Sequence, residues 1–156
     1  MEKHFTATVY IIDNGKVLLI PHPKFNKWLP PGGHVELNET PPQCAIREAL
    51  EETGLVIEII PQENIWIDRW NATSFERPYM CLLENVPAQG SKAPHQHMDF
   101  IYLAKPISGS LIQGAKWFYI EEVESLTDDG EIFGETKTTI RQILADSLKS
   151  AAGQPF

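Results

Sequence analysis

The sequence predicts an α/β fold: a chain dominated by strands that carries two amphipathic helices. Three observations support this. β-branched and aromatic runs recur between Pro, Gly and Asn punctuation, one helix has a signal at each end, and apolar residues return at helical spacing near the C-terminus. With 156 residues the chain is long enough for one domain with a sizeable core and too short for two ordinary ones, so residues 1–156 are expected to form a single domain.

A hairpin opens the chain. In TATVYIIDNGKVLLIP two strand-like runs flank Asn14-Gly15, a dipeptide that tolerates the positive φ angles of a type I′ turn. PHPKFNKWLPPGGHVEL follows, with four prolines and two adjacent glycines, a composition suited to a structured loop that ends in a short strand at His34 to Leu37. Thr40-Pro41-Pro42-Gln43 then reads as a capping box with proline at the first helical position, and Gly54 as a left-handed terminator, predicting a 13-residue helix between them. Its apolar side should hold Pro42, Ala45, Ile46, Ala49, Leu50 and Thr53 at helical spacing. LVIEII, NIWIDRW, RPYMCLLENV, MDFIYLAKP and AKWFYI read as further strands of a mixed sheet. From about Phe133, the spacing of Ile140, Ile143, Leu144 and Leu148 predicts a closing helix, followed by a loose tail from about residue 150.

Composition excludes several function classes. No apolar run approaches the roughly 18 residues of a membrane span, and the N-terminus lacks a basic segment followed by an apolar one, so no membrane partner and a cytoplasmic location are expected. Cys44 and Cys81 lie 37 positions apart without a CxxC pair, which argues against a zinc ribbon or a disulfide scaffold; both are expected to be part-buried thiols. The net charge of −8 would repel duplex nucleic acid, so an anionic small molecule must be received locally.

Within the helix, REALEETGL places Glu48, Glu51 and Glu52 at i, i+3 and i+4, three carboxylates on one face whose repulsion costs a few tenths of a kcal/mol per pair. Such a cluster suits a hard divalent cation. Arg47, four residues before Glu51, can bridge to it or to Glu39. On the strand reading of HQHMDF, His95, His97 and Asp99 share one face and Met98 and Phe100 the other; the polar trio fits a substrate pocket, a transition-metal site or an exposed face. Trp28, Phe25, Trp66, Trp70 and Tyr79 offer flat surfaces for a nucleobase, with Trp28 best placed because it precedes the helix in the same loop. Lys24, Lys27, Arg69 and Arg77 are candidates for phosphate contacts.

The stretch GHVELNETPPQCAIREALEETGL, from Gly33 to Leu55, resembles the Nudix box. The family's places are filled by Gly33, Glu39, Arg47, Glu48, Ala49, Glu51, Glu52, Gly54 and Leu55, with alanine a small choice for the first aliphatic position. The resemblance implies a Nudix-type α/β/α sandwich, with a mixed curved sheet between the box helix and the C-terminal helix. It implies a site in which Arg47, Glu48, Glu51 and Glu52 are catalytic. It further implies that Glu48, Glu51, Glu52 and the Gly33 carbonyl bind Mg2+, with Mn2+ an alternative, while Glu39 and Gly54 support the box. Glu48 and Glu52 both remain candidates for the general base. The implied reaction is hydrolysis of a phosphoanhydride in a nucleoside diphosphate linked to X, with Trp28, His97 and Asp99 as expected substrate contacts. Markers of several subfamilies are missing, which leaves a nucleoside triphosphate pyrophosphohydrolase as the preferred reading. The alternatives are a hydrolase of ADP-ribose, a nucleotide sugar or a dinucleoside polyphosphate, and a Nudix-fold sensor without turnover. A homodimer stays open.

Overall fold

In the computed structural model, described for residues 1–151, strands β1 (Lys3–Asp13), β2 (Lys16–His22), β3 (Lys27–Leu29) and β4 (Gly32–His34) precede helix α1 (Pro41–Thr53). Then come β5 (Leu55–Ile59), β6 (Asp68–Arg69), β7 (Ala72–Thr73), β8 (Met80–Val86), β9 (His95–Gly109) and β10 (Lys116–Phe118), followed by α2 (Ile120–Glu124) and α3 (Gly134–Ala151). Beyond Ala151, the tail expected to be loose lies outside the described residues. Among the described residues no helix is long and apolar enough to cross a membrane.

The main sheet runs β10-β2-β1-β9-β5, with β3 on β2, β4 on β1 and β8 on β9. It is mixed, because β1 and β9 pair in parallel while the other pairs are antiparallel. Both faces are covered along the middle of β1, so Thr6, Ala7, Val9, Tyr10, Ile11 and Ile12 are all buried, whereas a one-sided sheet would bury alternate residues. On one face Ala7, Val9, Ile11, Tyr102 and Ala104 pack against Cys44, Ala45 and Ala49 of α1. On the other, Tyr10, Leu19, Ile101 and Leu103 pack against Val123 of α2 and Ile140, Ile143 and Leu144 of α3.

Local signals that close on themselves were realised. Asn14 and Gly15 have φ of 49° and 74°, as the hairpin turn requires. Thr40 accepts from the Gln43 amide while the Gln43 side chain accepts from the Thr40 amide, and α1 ends at Gly54 with φ 80°.

Other expectations needed correction. The short strand lies at Gly32–His34, where it pairs with Thr6–Thr8, and Leu37 is almost fully exposed. NIWIDRW forms only the two-residue β6, paired with β7 in a separate ribbon, and Ile65, Trp66, Ile67 and Trp70 stay exposed. Consecutive apolar residues without alternation present no single face for a sheet to bury. Helix α1 turns inward its small residues and Cys44, which lets it lie close to the sheet, so Ile46 and Leu50 point outward. Leu148 of α3 is likewise exposed, and Cys44 is fully buried while Cys81 is exposed. Strand β9 extends beyond the expected segment in both directions, and β10 stops at Phe118, where the unforeseen helix α2 begins after Tyr119.

Candidate active site

The box residues come together where β4, the loop after it and α1 meet. Arg47 is the hub. Its Nε and Nη2 donate to the two oxygens of Glu39 at 3.0 and 2.6 Å, a bidentate pair. Nη1 donates to Glu48 at 2.8 Å and Glu51 at 3.2 Å, and Nη2 also reaches the His34 carbonyl at 3.2 Å. Glu39 further accepts from the Glu36 amide at 2.9 Å. The Arg47 hydrogen bonds hold its carboxyl down at about 2, so it is ionised throughout the neutral range.

Glu52 behaves differently. It accepts from the Gly32 amide at 2.8 Å, yet burial, together with the nearby Glu48 and Glu51, pushes its carboxyl up to about 7. The carboxylates of Glu36, Glu39, Glu48 and Glu51 thus surround one guanidinium, while the neighbouring Glu52 carboxyl, raised to about 7, is poised to exchange a proton near neutrality. The site also requires a glycine: a Cβ on Gly33 would run into the Glu48 carboxylate, so that carboxylate occupies the space a side chain would take against the backbone. Hard oxygen donors, excess negative charge and a backbone that the acidic helix approaches closely fit a divalent cation held by Glu48, Glu51, Glu52 and the Gly33 carbonyl.

The expected substrate contacts are placed elsewhere. Asp99 is buried on β9, where it accepts from Thr6 at 2.9 Å and from Thr8 at 2.8 Å. Glu84 of β8 lies against it, and burial first, then the Asp99 charge, raises the Glu84 carboxyl well above its ordinary range. His97 shares this sheet face and joins His4, His34 and His95. Trp28 is half-buried on β3, edge-on to Phe118 at 4.9 Å, and its amide donates to the Glu131 carbonyl.

The remaining aromatic and basic candidates are scattered. Phe25 packs edge-on to Phe133, Tyr79 donates to Asp146 at 3.1 Å, and Trp66 and Trp70 are exposed. Lys27 lies over the Phe133 ring at 5.0 Å, Arg77 donates to the Glu63 carbonyl, Arg69 sits on the exposed β6, and Lys24 is exposed beside Lys92. Sequence reasoning missed Thr6, Thr8, Glu84, His4 and His34. The alternation of His4, Thr6 and Thr8 in KHFTATVY was the available signal, since on a strand those polar groups share a face.

Comparison with known proteins shows the family and the fold. The NUDIX domain family model matches residues 2–136. A probable DHNTP pyrophosphohydrolase of Lactococcus lactis is 33% identical over 100 residues, 63% of this chain and 51% of that protein. An m7GpppN-mRNA hydrolase of Xenopus laevis is 48% identical over 50 residues, 29% of this chain and 17% of that protein. The chain thus spans about half, or less, of the length of these relatives. A solved Nudix-family hydrolase structure from Clostridium perfringens superposes with a TM-score of 0.75 at 28% identity, covering 94% of this chain and 99% of that one.

Proposed function

The chain belongs to the Nudix family, and from that premise we propose that it hydrolyses a phosphoanhydride bond of a nucleoside triphosphate, releasing pyrophosphate and a nucleoside monophosphate. The observation that carries this reading is the pairing of a fully ionised Arg47–Glu39 brace with a Glu52 carboxyl raised to about 7. One part of the site holds its geometry rigidly while the other can take or release a proton. The pyrophosphohydrolase resembled over 100 residues supports the triphosphate as substrate class.

Glu48, Glu51, Glu52 and the Gly33 carbonyl would hold Mg2+, which supplies charge neutralisation for the phosphates and acidifies a bound water. Arg47 keeps Glu48 and Glu51 turned toward a common point and so limits their loss of freedom when substrate binds. The Gly32 amide fixes one oxygen of Glu52, so its other oxygen can accept a proton from the attacking water, whereas Glu48 is held by Arg47.

The test is phosphate and pyrophosphate release from a panel of nucleotides with Mg2+, for the native chain and Glu52→Gln. Pyrophosphate release from a triphosphate that Glu52→Gln abolishes supports the reading. Tight binding of every nucleotide without turnover would make the chain a sensor, and turnover unaffected by Glu52→Gln would displace the carboxylate site.

A further inference from the structure

Four of the chain's five histidines meet at the polar end of the sheet face that α3 covers further along. They come from three strands that are distant in sequence. His4 of β1 stands opposite His97 of β9 in the parallel register, β4 delivers His34 opposite Thr6, and His95 lies two residues before His97. Among the described residues, His4, His34 and His97 each offer one ligand atom within 4.8 Å of the others. A tetrahedral zinc ion with nitrogens at about 2.0–2.1 Å places those nitrogens roughly 3.4 Å apart. His4 Nδ1 already faces His34 Nε2 at 3.1 Å, so only a modest rotation of side chains separates the cluster from that geometry.

The surroundings prepare the cluster for a cation. His4 Nε2 meets Glu2 Oε1 at 2.5 Å, and its other nitrogen, Nδ1, points at His34. A carboxylate behind a histidine is the arrangement that orients metal-ligating imidazoles and raises their basicity. His95 is fixed in the same way, with its Nδ1 against the Ala93 carbonyl at 3.1 Å and its ring stacked on His4 at 4.5 Å. Burial, and then the neighbouring histidines, push His97 and His34 toward the neutral form that ligation uses. Imidazole nitrogens select zinc and its transition-metal neighbours, whereas the carboxylate and carbonyl donors at α1 suit magnesium.

We propose that His4, His34 and His97 form a second metal site, for a borderline divalent cation such as Zn2+, with a fourth position open to water. Such a site ties β1, β4 and β9 together. Because His34 follows Gly33 in the chain, it also fixes the segment that packs against the Glu48 carboxylate. Glu2 is a positioning residue that acts through His4. The proposal stands on the histidine geometry alone and does not depend on the hydrolase reading.

Cobalt(II) is the probe, titrated into the full-length Glu52→Gln protein with Mg2+ in excess so that the carboxylates are not available to it. The expected result is the intense visible absorption of four-coordinate cobalt, saturating at one ion per chain and bleached by Zn2+. His4→Ala in the same background should remove the band, and Glu2→Gln should weaken binding by about tenfold or more. Thermal unfolding gives a second readout: Zn2+ should raise the midpoint of the Glu52→Gln protein and leave that of the His4→Ala variant in place. Absence of the band, or a band and a midpoint shift that survive His4→Ala, would overturn the proposal.

Discussion

The chain gathers polar groups at two places and handles their crowding in opposite ways. On α1 and the loop before it, Glu36, Glu39, Glu48 and Glu51 surround Arg47 with Glu52 nearby, and charge is kept: Glu39 is held down at about 2 and one guanidinium serves four carboxylates. On the sheet face formed by β1, β8 and β9, charge is suppressed instead. Burial pushes His97 and His34 toward their neutral forms, Asp99 is buried among hydroxyl donors, and Glu84 is pushed toward its protonated form. The difference follows from position. A helix flank beside solvent lets unbalanced carboxylates persist until a cation arrives, whereas a sheet face under a helix penalises any charge without a partner.

Glu52 is the carboxylate on which the two regimes meet, and changing it should have the largest effect. Glu52→Gln is expected to lower turnover of a nucleoside triphosphate by at least about 100-fold, whether its main task is to bind metal or to accept a proton. The pH dependence separates these from mere packing. Glu52 is raised to about 7, so below that pH a proton occupies it and must leave before a cation binds. Apparent Mg2+ affinity should therefore fall by about tenfold per unit as the pH drops below 7, and level off above it. Calorimetric titration at several pH values measures this, and a flat profile would show that Glu52 is not the group exchanging the proton.

Arg47→Ala tests whether the charge-keeping site depends on its one cation. Glu39, with a side chain 12% exposed, would lose its bidentate partner. Breaking a buried pair costs about 3–5 kcal/mol. Because Arg47 is itself 24% exposed, a smaller loss of about 2 kcal/mol is expected in urea unfolding without added metal. A change within about 0.5 kcal/mol would mean that solvent already screens the cluster and that the brace is not structural.

The same contrast explains what the sequence disclosed. The helix cluster was legible because Gly33, Glu39, Arg47 and the three glutamates lie in one contiguous stretch whose helix has a cap at each end, so a linear pattern maps onto one surface. Arg47's partner Glu51 was within reach of a spacing argument, and Glu39 was implied by the resemblance to the Nudix box. The strand cluster was legible only in part: the alternation in HQHMD placed His95, His97 and Asp99 on one face, but His4, His34, Thr6, Thr8 and Glu84 join them through the β1–β9, β1–β4 and β8–β9 registers. No local signal specifies a parallel pairing between residues about 90 positions apart. The outward turn of Ile46 and Leu50 has a related cause, since helical spacing defines a face but not which part of it a close-packed sheet leaves room for.

Thr40→Ala should sharpen the comparison by disturbing one region alone. The reciprocal Thr40–Gln43 cap is lost, at a cost of about 1 kcal/mol. Amide exchange should quicken in the first turn of α1, while the imidazole resonances of His4, His95 and His97, carried on β1 and β9, stay where they are. Imidazole shifts as large as the changes in α1 would mean that the two regions behave as one unit.

The smallest expected effect concerns the suppressed charge at Glu84. It is faced by Asp99 and, at 4.0 Å, by His97 from β9, with the Glu135 charge contributing from α3. Its carboxyl holds a proton more tightly folded than unfolded, so the folded state is disfavoured as pH rises out of the ordinary carboxylate range and through neutrality. Glutamine carries a similar shape without ionising, and Glu84→Gln should therefore gain stability over the native chain as the pH is raised. Below the ordinary carboxylate range both forms are neutral and the advantage should vanish. The alkaline side of the profile is the informative one, because above about pH 7 the neighbouring His97, with its lowered value, no longer titrates. Urea midpoints of the two proteins that run parallel from acid to alkaline pH would place Glu84 among the charged groups, and the distinction between the two clusters would then rest on the histidines alone.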